Sequence, residues 1–351
     1  MQELERILKD HAARYPQMEA VDYLKLVYQN EFGGGHLVPE GEQTEQRILR
    51  EQEAAAPVCD PVEPIGNGLC RLHLGGADPQ AAGALARLFA AAAAEVQGSS
   101  AGFEEKLVLL RGLCESGALP IKTAQLDAML ESYPLAQHPP FSHSDAFRAA
   151  YAPHYRVLRL DDARLLPAFV MAERIARAGG LLAIDGRCAS GKSTLAQRIG
   201  KIYRCPVFHM DDYFLPAELR TAERFAQPGG NVHRERIEEE ILRPFSRGQQ
   251  VVYRPFDCHS MSLREPVTVP AASFAVVEGC YAMHPALRGY FAGAVFLTHS
   301  PQAQRQRILT RSGERMLARF ENEWIPLEER YFSGCSVEEA CEVRLDTTEL
   351  F

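Results

Sequence analysis

Apolar residues recur at helical spacing along the first 160 positions of the chain, in stripes that begin at Leu4, Leu85, Phe103 and Leu126. Residues three or four positions apart lie on one face of a helix, so each stripe predicts an amphipathic helix. The second stripe follows Asp78, a good N-cap residue, with a proline directly after it. A short strand is predicted over residues 69–74. Residues 1–160 are therefore predicted to form a mainly helical domain.

The pattern changes after residue 160 to short apolar runs that alternate with amphipathic segments. A helix predicted over 165–178 ends at Gly179-Gly180, and the runs that follow predict strands at 181–185, 206–210, 250–254, 273–278 and 293–298. Alternating strands and helices are typical of a mostly parallel sheet with helices on its faces. We therefore predict an α/β fold for residues 161–351, with a domain boundary near Leu160.

The composition narrows the classes of partner. The chain of 351 residues is long enough for two domains, and its formal net charge of −8 argues against a nucleic acid or an anionic membrane as the main partner. Nine cysteines occur without a Cys-x-x-Cys pair, which favours a reducing, cytoplasmic setting over a zinc site or a disulfide framework. The charged N-terminus and the apolar runs predict neither a signal peptide nor a membrane span. A small-molecule substrate is expected, and a homo-oligomer is left open.

The segment from Leu181 to Thr194 combines an apolar run, the loop sequence Gly-x-x-x-x-Gly-Lys-Ser and the start of a helix. Glycines let such a loop turn so that its N–H groups point at phosphate oxygens, and the helix adds its own free N–H groups. The lysine supplies charge for the outer phosphates, and the serine hydroxyl can ligate Mg²⁺. We therefore predict that ATP and Mg²⁺ are bound by the loop residues Gly186, Arg187, Cys188, Ala189, Ser190, Gly191, Lys192, Ser193 and Thr194.

Two predicted strands end in carboxylates. Asp211 and Asp212 follow one apolar run, and Glu278 ends another, directly before a glycine. Ligands of open parallel sheets bind beyond the carboxyl ends of the strands, so these side chains are expected near the phosphates. Phosphoryl transfer needs one carboxylate to accept or orient the proton of the attacking hydroxyl and another to hold Mg²⁺. Helix capping is the structural alternative for either aspartate.

An arginine-rich segment follows the last predicted strand. Arg307, Arg311 and Arg315 recur every four residues and would share one helix face. Such a face can close over a triphosphate and neutralise the charge that develops during transfer. An ordinary solvated basic face would show the same spacing.

Together, the phosphate loop, the strand-end sequence Met-Asp-Asp-Tyr-Phe, the Val-Val-Glu-Gly strand and the arginine-rich segment resemble uridine kinase. More broadly, they resemble the uridine kinase, phosphoribulokinase and pantothenate kinase group of P-loop kinases, over roughly residues 180–335. The resemblance implies that Asp211 is the general base, that Glu278 helps to hold Mg²⁺ and that the arginines form a lid. It also implies an acceptor site, in which Phe256 would stack on a pyrimidine base and His259 would bond its edge. The residues assigned to that acceptor site are Asp212, Tyr213, His233, Tyr253, Phe256 and His259.

Two positions depart from the uridine kinase pattern. His233 stands where an aspartate that binds ribose hydroxyls is expected, and the usual Arg-Asp pair of the lid is Arg311-Ser312. The predicted function is ATP-dependent phosphorylation of a small-molecule hydroxyl, with the 5′-hydroxyl of a pyrimidine nucleoside as the leading acceptor. Two alternatives stay open: a kinase of the same fold that acts on a non-nucleoside alcohol or a sugar phosphate, and a nucleotide-dependent regulatory protein.

Cys188 lies inside the phosphate loop. One hypothesis is that the loop dipoles lower the pKa of its thiol and make it sensitive to oxidation. The simpler interpretation is a small residue at a tolerant position.

The N-terminal half contains polar clusters without a recognisable motif. The segment Asn30–His36 contains three glycines and is interpreted as a turn after a helix. The spacing of five histidines matches no metal motif, so they are interpreted as surface or hydrogen-bonded core residues. These histidines are His36, His73, His138, His143 and His154.

Overall fold

The structure, a computed structural model, describes residues 1–35, 42–135, 137–258 and 260–350. The chain divides into two compact units, Met1–Leu166 and Pro167–Phe351. His36 and His259, which the sequence singled out, lie outside the described residues. Among the helices that the structure describes, none combines the length and the apolar character needed to span a bilayer.

The first unit is mainly helical. Its helices are α1 (Gln2–Arg14), α2 (Ala20–Phe32), α3 (Glu42–Ala54), α4 (Ala82–Glu95), α5 (Ser100–Glu115), α6 (Thr123–Glu131), α7 (Asp145–Tyr151) and α8 (Leu160–Arg164). The four apolar stripes fall on α1, α4, α5 and α6, and α5 for example buries Phe103, Leu107 and Leu110 on one face. Asp78 caps a 3₁₀ turn, Pro79–Ala81, that precedes α4. Gly33 ends α2 with a φ of 65°, so the glycine-rich segment begins as a helix stop.

A three-stranded antiparallel sheet completes the first unit. Its strands β1 (Val62–Gly66), β2 (Leu69–His73) and β3 (Tyr155–Arg159) pair in the order β1-β2-β3. The sequence predicted β2 alone. Asn67-Gly68, between β1 and β2, has positive φ at both residues, which is the backbone of a tight hairpin turn. The pairing of β3 is long-range, and the apolar pattern carries no signal for it.

The second unit is built on five parallel strands. The strands of this unit are β4 (Gly180–Gly186), β5 (Val207–His209), β6 (Val251–Tyr253), β7 (Phe256–Asp257), β8 (Ser262–Leu263), β9 (Val267–Val269), β10 (Phe274–Glu278), β11 (Phe291–Thr298) and β12 (Val343–Asp346). The main sheet has the order β12-β11-β4-β10-β5, and every pair in it is parallel. The helices are α9 (Leu166–Ala178), α10 (Lys192–Tyr203), α11 (Ala222–Ala226), α12 (Arg234–Ile237), α13 (Arg243–Ser246), α14 (Pro301–Arg319) and α15 (Ile325–Cys335). The predicted α/β class is confirmed.

The short strands β7, β8 and β9 were not predicted, and two further strands differ from the prediction. The run at 250–254 forms β6, but β6 pairs with β9 in a separate antiparallel ribbon and lies outside the main sheet. Strand β12 was not predicted, because its residues are exposed or only partly buried and lack the apolar run of a central strand.

The carboxyl ends of β4, β10 and β5 meet at one edge of the main sheet. Glu278 at the end of β10 lies beside Ile184 of β4 and His209 of β5. Below this edge the strands pack through fully buried side chains such as Val277 and Phe296. Each such side chain contributes roughly 1.5–3 kcal/mol of hydrophobic stabilisation. The loops that follow the three strands are therefore held on a rigid support.

Candidate functional site

The loop after β4 turns at two glycines. Gly186 has a φ of 138°, and a Cβ at this position would lie 2.1 Å from the carbonyl oxygen of Leu297 on the neighbouring strand β11. Gly191 has a φ of 90° and stands at the N-cap of α10. Both conformations favour glycine, so the spacing of the two glycines sets the shape of the loop. The first N–H groups of α10 are free of helical partners and form an anion-binding end.

A buried aspartate that the sequence analysis missed anchors the start of this loop. Asp185 is fully buried, and it accepts hydrogen bonds from the N–H of Gly186 at 2.7 Å, the N–H of Met283 at 2.9 Å and the hydroxyl of Tyr331 at 2.8 Å. Burial raises the pKa of Asp185, and the three donors oppose that rise. The side chain therefore ties the loop to β10's following turn and to α15.

Lys192 at the start of α10 folds back over the loop. Its Nζ donates to the carbonyl oxygens of Gly186 and Arg187, each at 2.8 Å. Burial alone would lower the pKa of Lys192, but surrounding negative groups, with Glu328 the strongest, raise it above its ordinary value. The lysine is therefore charged at neutral pH and close to the loop N–H groups.

Ser193 and Glu278 lie in contact, as expected for two ligands of one cation. Ser193 donates from its hydroxyl to Oε1 of Glu278 at 3.0 Å, and Nδ1 of His209 lies 2.6 Å from the same oxygen. The hydrogen bond to Glu278 raises the pKa of His209. Mg²⁺ takes one or two carboxylates and a hydroxyl, and completes its shell with phosphate and water oxygens. This pair of oxygen donors fits Mg²⁺, and no cluster of three or more ligating side chains occurs among the described residues.

A cavity of about 480 Å³ opens beside the loop. The predicted site residues that line it are Cys188, Ala189, Gly191, Lys192, Ser193, Thr194, Asp211, Glu278 and Arg311. The lining residues that the sequence analysis did not assign to the site are Phe214, Asn231, Cys258, Gly279, Cys280, Tyr281, Ser312, Met316, Phe320, Trp324 and Glu328. The cavity thus brings together both strand-end carboxylates and the phosphate loop.

Asp211 has the environment of a proton acceptor. Part of its side chain is exposed to solvent in the cavity. Neighbouring protein atoms displace water from the carboxyl, and this desolvation raises its pKa against the opposing charge of Lys192. Glu278 adds to the rise because it is a like charge. The neighbouring Asp212 also has a raised pKa through burial, but it does not line the cavity. The two adjacent aspartates are therefore in different positions relative to the loop.

The three predicted lid arginines separate in the structure. Arg311 lines the cavity, with its guanidinium carbon 5.6 Å from the ring centroid of Phe320. Arg307 instead bonds to the carbonyl oxygen of Ala189 at 3.2 Å and to the carbonyl oxygens of residues 347, 348 and 350. Arg315 does not line the cavity, and Gly313, with a φ of 77°, interrupts α14 before it. The shared helix face expected from the spacing is therefore broken.

The aromatic residues assigned to the acceptor are core residues. Tyr213 is fully buried and donates to Glu240 at 3.2 Å, and Tyr253 and Phe256 are also buried. His233 caps α12, where its Nδ1 accepts from the N–H of Arg236 at 3.4 Å. None of these four described residues lines the cavity. The acceptor site implied by the resemblance is thus not assembled around the phosphate loop by the described residues.

The surroundings of Cys188 oppose the hypothesis of a reactive thiol. Burial raises the pKa of its thiol to about 12, and the negative charge of Glu328 adds to that rise. Gln304 donates from its side-chain amide to Sγ at 3.2 Å. Because the thiolate is the reactive form, we expect this thiol to react slowly at neutral pH.

The loop residue Arg187 points away from the cavity. Its Nε lies 3.0 Å from Oε1 of Glu329, and its guanidinium carbon lies 5.4 Å from the ring centroid of Phe332. Through these contacts Arg187 anchors the loop to α15. Ser190 is fully buried.

Three of the N-terminal histidines contact other side chains of the first unit. Nδ1 of His143 lies 2.7 Å from Asp22, and Nε2 of His73 lies 3.5 Å from Glu63. His138 stacks on the ring of Phe32. No metal cluster occurs in the ranges that the structure describes.

The parallel sheet, the glycine loop and Lys192 give the second unit the arrangement of a P-loop nucleotide-binding domain. A possible uridine kinase from Bacillus stearothermophilus is similar at 20% identity over 50% of this chain and 97% of that chain, with a TM-score of 0.39. A protein assigned as a fructose transport system kinase from Silicibacter sp. TM1040 is similar at 20% identity over 48% of this chain and 89% of that chain, with a TM-score of 0.38. A shikimate kinase from Bacteroides thetaiotaomicron shows 13% identity over 48% and 85% of the two chains, with a TM-score of 0.26. At these identities and TM-scores the similarity carries no conclusion about the activity of this chain.

The N-terminal half of the chain has no match among these structures. No family model matches the chain, and no curated protein matches it.

Proposed function

We propose that this chain is an ATP-dependent phosphotransferase that acts on a hydroxyl of a small molecule. One observation carries the proposal: Lys192, Ser193, Asp211 and Glu278 line a single cavity of about 480 Å³. A loop that only bound nucleotide would need the lysine and the serine. It would not need a second strand-end carboxylate with a raised pKa facing them.

The roles of the residues follow from their positions. ATP with Mg²⁺ supplies the phosphoryl group when bound, and Ser193 and Glu278 would hold the ion. Lys192 and the first N–H groups of α10 bind phosphate oxygens. Arg311 lines the same cavity and can balance charge that spreads over the transferred group. Asp211 accepts or orients the proton of the acceptor hydroxyl, and its raised pKa brings it closer to the operating pH.

Two acceptor classes are proposed. The 5′-hydroxyl of a pyrimidine nucleoside is implied by the resemblance of the sequence to uridine kinase. A non-nucleoside alcohol or a sugar phosphate is favoured by the burial of Tyr213, Tyr253 and Phe256, which leaves the implied base-binding residues outside the cavity. The cavity has other aromatic walls, Phe214, Phe320 and Trp324, which can contact either class.

The test combines an acceptor screen with one substitution. Pools of pyrimidine nucleosides, sugar phosphates and small alcohols are incubated with ATP and the full chain, and phosphorylated products are identified by mass spectrometry. D211N is expected to lower turnover by roughly 10²–10⁴-fold while retaining ATP affinity, because it removes the proton acceptor and leaves the loop. D10N serves as the control, since Asp10 is an exposed residue of α1.

Two results would contradict the proposal. One is a D211N variant that turns over its acceptor as fast as the unmodified chain. The other is ATP consumption that yields no phosphorylated product from any pool, which would favour the nucleotide-dependent regulatory alternative.

A further inference from the structure

A polar cluster buried in the first unit has no part in the proposed phosphoryl transfer. Glu63 of β1 and Arg71 of β2 lie opposite each other in the antiparallel pair and are 3% and 1% exposed. Residues opposite each other in such a pair project from the same face of the sheet. The hairpin therefore places a carboxylate and a guanidinium side by side in the interior. Burying two charges is costly, so their surroundings should explain why they are there.

Arg71 is held in place by its neighbours. Its Nε donates to Oε1 of Gln29 at 2.9 Å, and its guanidinium carbon lies 4.9 Å from the ring centroid of Tyr155. Tyr155 is fixed in turn, because its hydroxyl lies 2.7 Å from Nε2 of His143. Nη1 of Arg71 is 3.5 Å from Glu63, a loose contact for an ion pair.

The second terminal nitrogen of Arg71 is free. Nη2 is buried and has no hydrogen-bond partner in the part of the chain that the structure describes, and the same holds for Nε2 of His73. A buried donor left without a partner destabilises the folded chain. A guanidinium that is fixed in position but keeps a free donor is suited to receive an anion.

A cavity of about 260 Å³ adjoins these groups. Arg14, Arg71 and His73 supply nitrogen donors to its lining, and Phe147, Tyr151 and Tyr155 supply aromatic surface. The volume lies just below the roughly 300–1,000 Å³ of pockets for drug-sized ligands. An occupant is therefore small, with an apolar body.

The charges around the cavity leave a positive excess. Glu63 accepts from the hydroxyl of Tyr15 at 2.6 Å, and its contacts with His11 and His73 and the charge of Arg71 outweigh burial and hold its pKa far below the usual range. One carboxylate thus faces two guanidinium groups, since Nη1 of Arg14 also lies 3.5 Å from Glu63. This excess positive charge would repel a cationic ligand, whereas a ligand with one negative charge would neutralise it.

We propose that this cavity is a binding site for a small organic anion, a carboxylate or a phosphate monoester, with Arg71 and Arg14 on the anionic group and the aromatic side chains on the apolar body. The free Nη2 of Arg71 can donate a charge-assisted hydrogen bond to either kind of anionic group, and the guanidinium of Arg14 adds a second positive charge. The site is separate from the phosphate loop, and the inference stands whether or not the proposed kinase activity does.

The test uses the full chain and three probes of one shape: benzoate, phenyl phosphate and benzyl alcohol. Binding is measured by saturation-transfer NMR and isothermal titration calorimetry in the presence of saturating ADP, which occupies the phosphate loop. We expect at least one of the two anions to bind about tenfold or more tightly than benzyl alcohol, and the stronger of the two identifies the anionic group. R71Q should weaken that binding about tenfold or more. R111Q, at an exposed position of α5, should leave it unchanged.

A second variant guards against loss of folding in R71Q, which leaves Glu63 without its buried partner. R14Q changes a side chain that is 47% exposed, so the unit is expected to stay folded by circular dichroism while the anion binds several-fold more weakly. The proposal is overturned if neither anion binds at about 10 mM, a free energy of only ~3 kcal/mol. It is also overturned if benzyl alcohol binds as tightly as the anions, or if folded R14Q binds them with unchanged affinity.

Discussion

The carboxylate of Glu328 accepts a 3.0 Å hydrogen bond from the backbone N–H of Cys188, a residue 140 positions earlier in the chain. Glu328 lies on α15 and is 7% exposed. Burial raises the pKa of its carboxyl, against the opposing charge of Lys192. A negative side chain thus lies at the loop that is proposed to receive the phosphates.

Replacing Glu328 with glutamine should tighten nucleotide binding. The amide can still accept from Cys188, but the repulsion between a carboxylate and the phosphates is removed. For charges a few ångström apart near a protein surface, ~1–4 kcal/mol is at stake, so we expect E328Q to bind ADP about tenfold more tightly at pH 7.5. Calorimetric titration with ADP measures this difference.

The difference in ADP affinity between E328Q and the unmodified chain should depend on pH. Because the pKa of Glu328 is raised, its carboxyl gains a proton at a higher pH than an ordinary glutamate, and the repulsion declines on acidification. The difference in ADP affinity between E328Q and the unmodified chain should therefore become smaller as the pH falls toward 5. Protonation of ADP itself affects both proteins equally. E239Q, at an exposed position, is the control. A gap that stays constant with pH would assign the effect to packing instead of charge.

Cys188 should react slowly with thiol reagents. Its pKa of about 12 leaves little thiolate at pH 7.5, and the side chain is only partly accessible. We expect alkylation by iodoacetamide at least about tenfold slower than at Cys59, an exposed cysteine of the same chain. Peptide mass spectrometry over a time course measures both rates in one sample. Equal rates would mean that the loop exposes the thiol.

Gly186→Ala should abolish nucleotide binding. A Cβ there would lie 2.1 Å from the carbonyl oxygen of Leu297, and a φ of 138° is strained for alanine, so the loop must shift away from its present course. Calorimetry with ADP and a thermal melt report binding and stability. Gly112→Ala is the matched control, because its Cβ would meet open space inside α5. The Gly112→Ala variant should be more stable to unfolding by about 0.5–1 kcal/mol and should bind ADP with unchanged affinity.

Glu63→Gln should destabilise the first unit by roughly 3–5 kcal/mol at pH 7, because it leaves Arg71 without its buried partner. The pKa of Glu63 in the folded chain lies far below the 4.5 of an unfolded glutamate. Its contribution to the free energy of unfolding is therefore fully present above pH 4.5 and decreases as the pH falls below 4.5. The difference in free energy of unfolding between the unmodified chain and E63Q should therefore decrease by about 1.4 kcal/mol for each pH unit below 4.5.

Urea unfolding followed by circular dichroism at pH 7 and at pH 3.5 measures this deficit. Fluorescence of the single tryptophan, Trp324, reports the second unit separately. E115Q, at an exposed position of α5, should change stability by less than about 0.5 kcal/mol. A deficit in E63Q that does not depend on pH would show that the charge of Glu63 is not what stabilises the unit.

The parts of the site that depend on local sequence were predictable. The loop from Gly186 to Ser193 is continuous, and Asp211 and Glu278 follow from the rule that parallel strands end at one edge. Asp185 and Glu328 were missed because their partners are remote: Asp185 bonds to Tyr331 across 146 positions. No short window of sequence contains such a pair.

The differences between the expectations and the structure have physical causes of their own. Tyr213, Tyr253 and Phe256 occur in segments that resemble a motif. An aromatic side chain can pack in a hydrophobic core as well as against a ligand, and these three are buried in the core. For Cys188, the dipole argument omitted burial and the charge of Glu328, both of which raise the pKa. In the first unit, the Asn-Gly turn between β1 and β2 was a usable hairpin signal, whereas the pairing of β3 was not locally encoded.

Gly313 divides α14 into a stem and an arm. The stem is fastened through Arg307 to Ala189 and to the carbonyls of residues 347–350, whereas Met316 on the arm lines the cavity. Nothing lies within 4 Å of where a Cβ of Gly313 would stand, so the space directly around this residue is open. Because the helix is already interrupted at this residue, a rotation here would break no further helical turn. We expect such a rotation to change access to the cavity while Arg307 holds the phosphate loop in place.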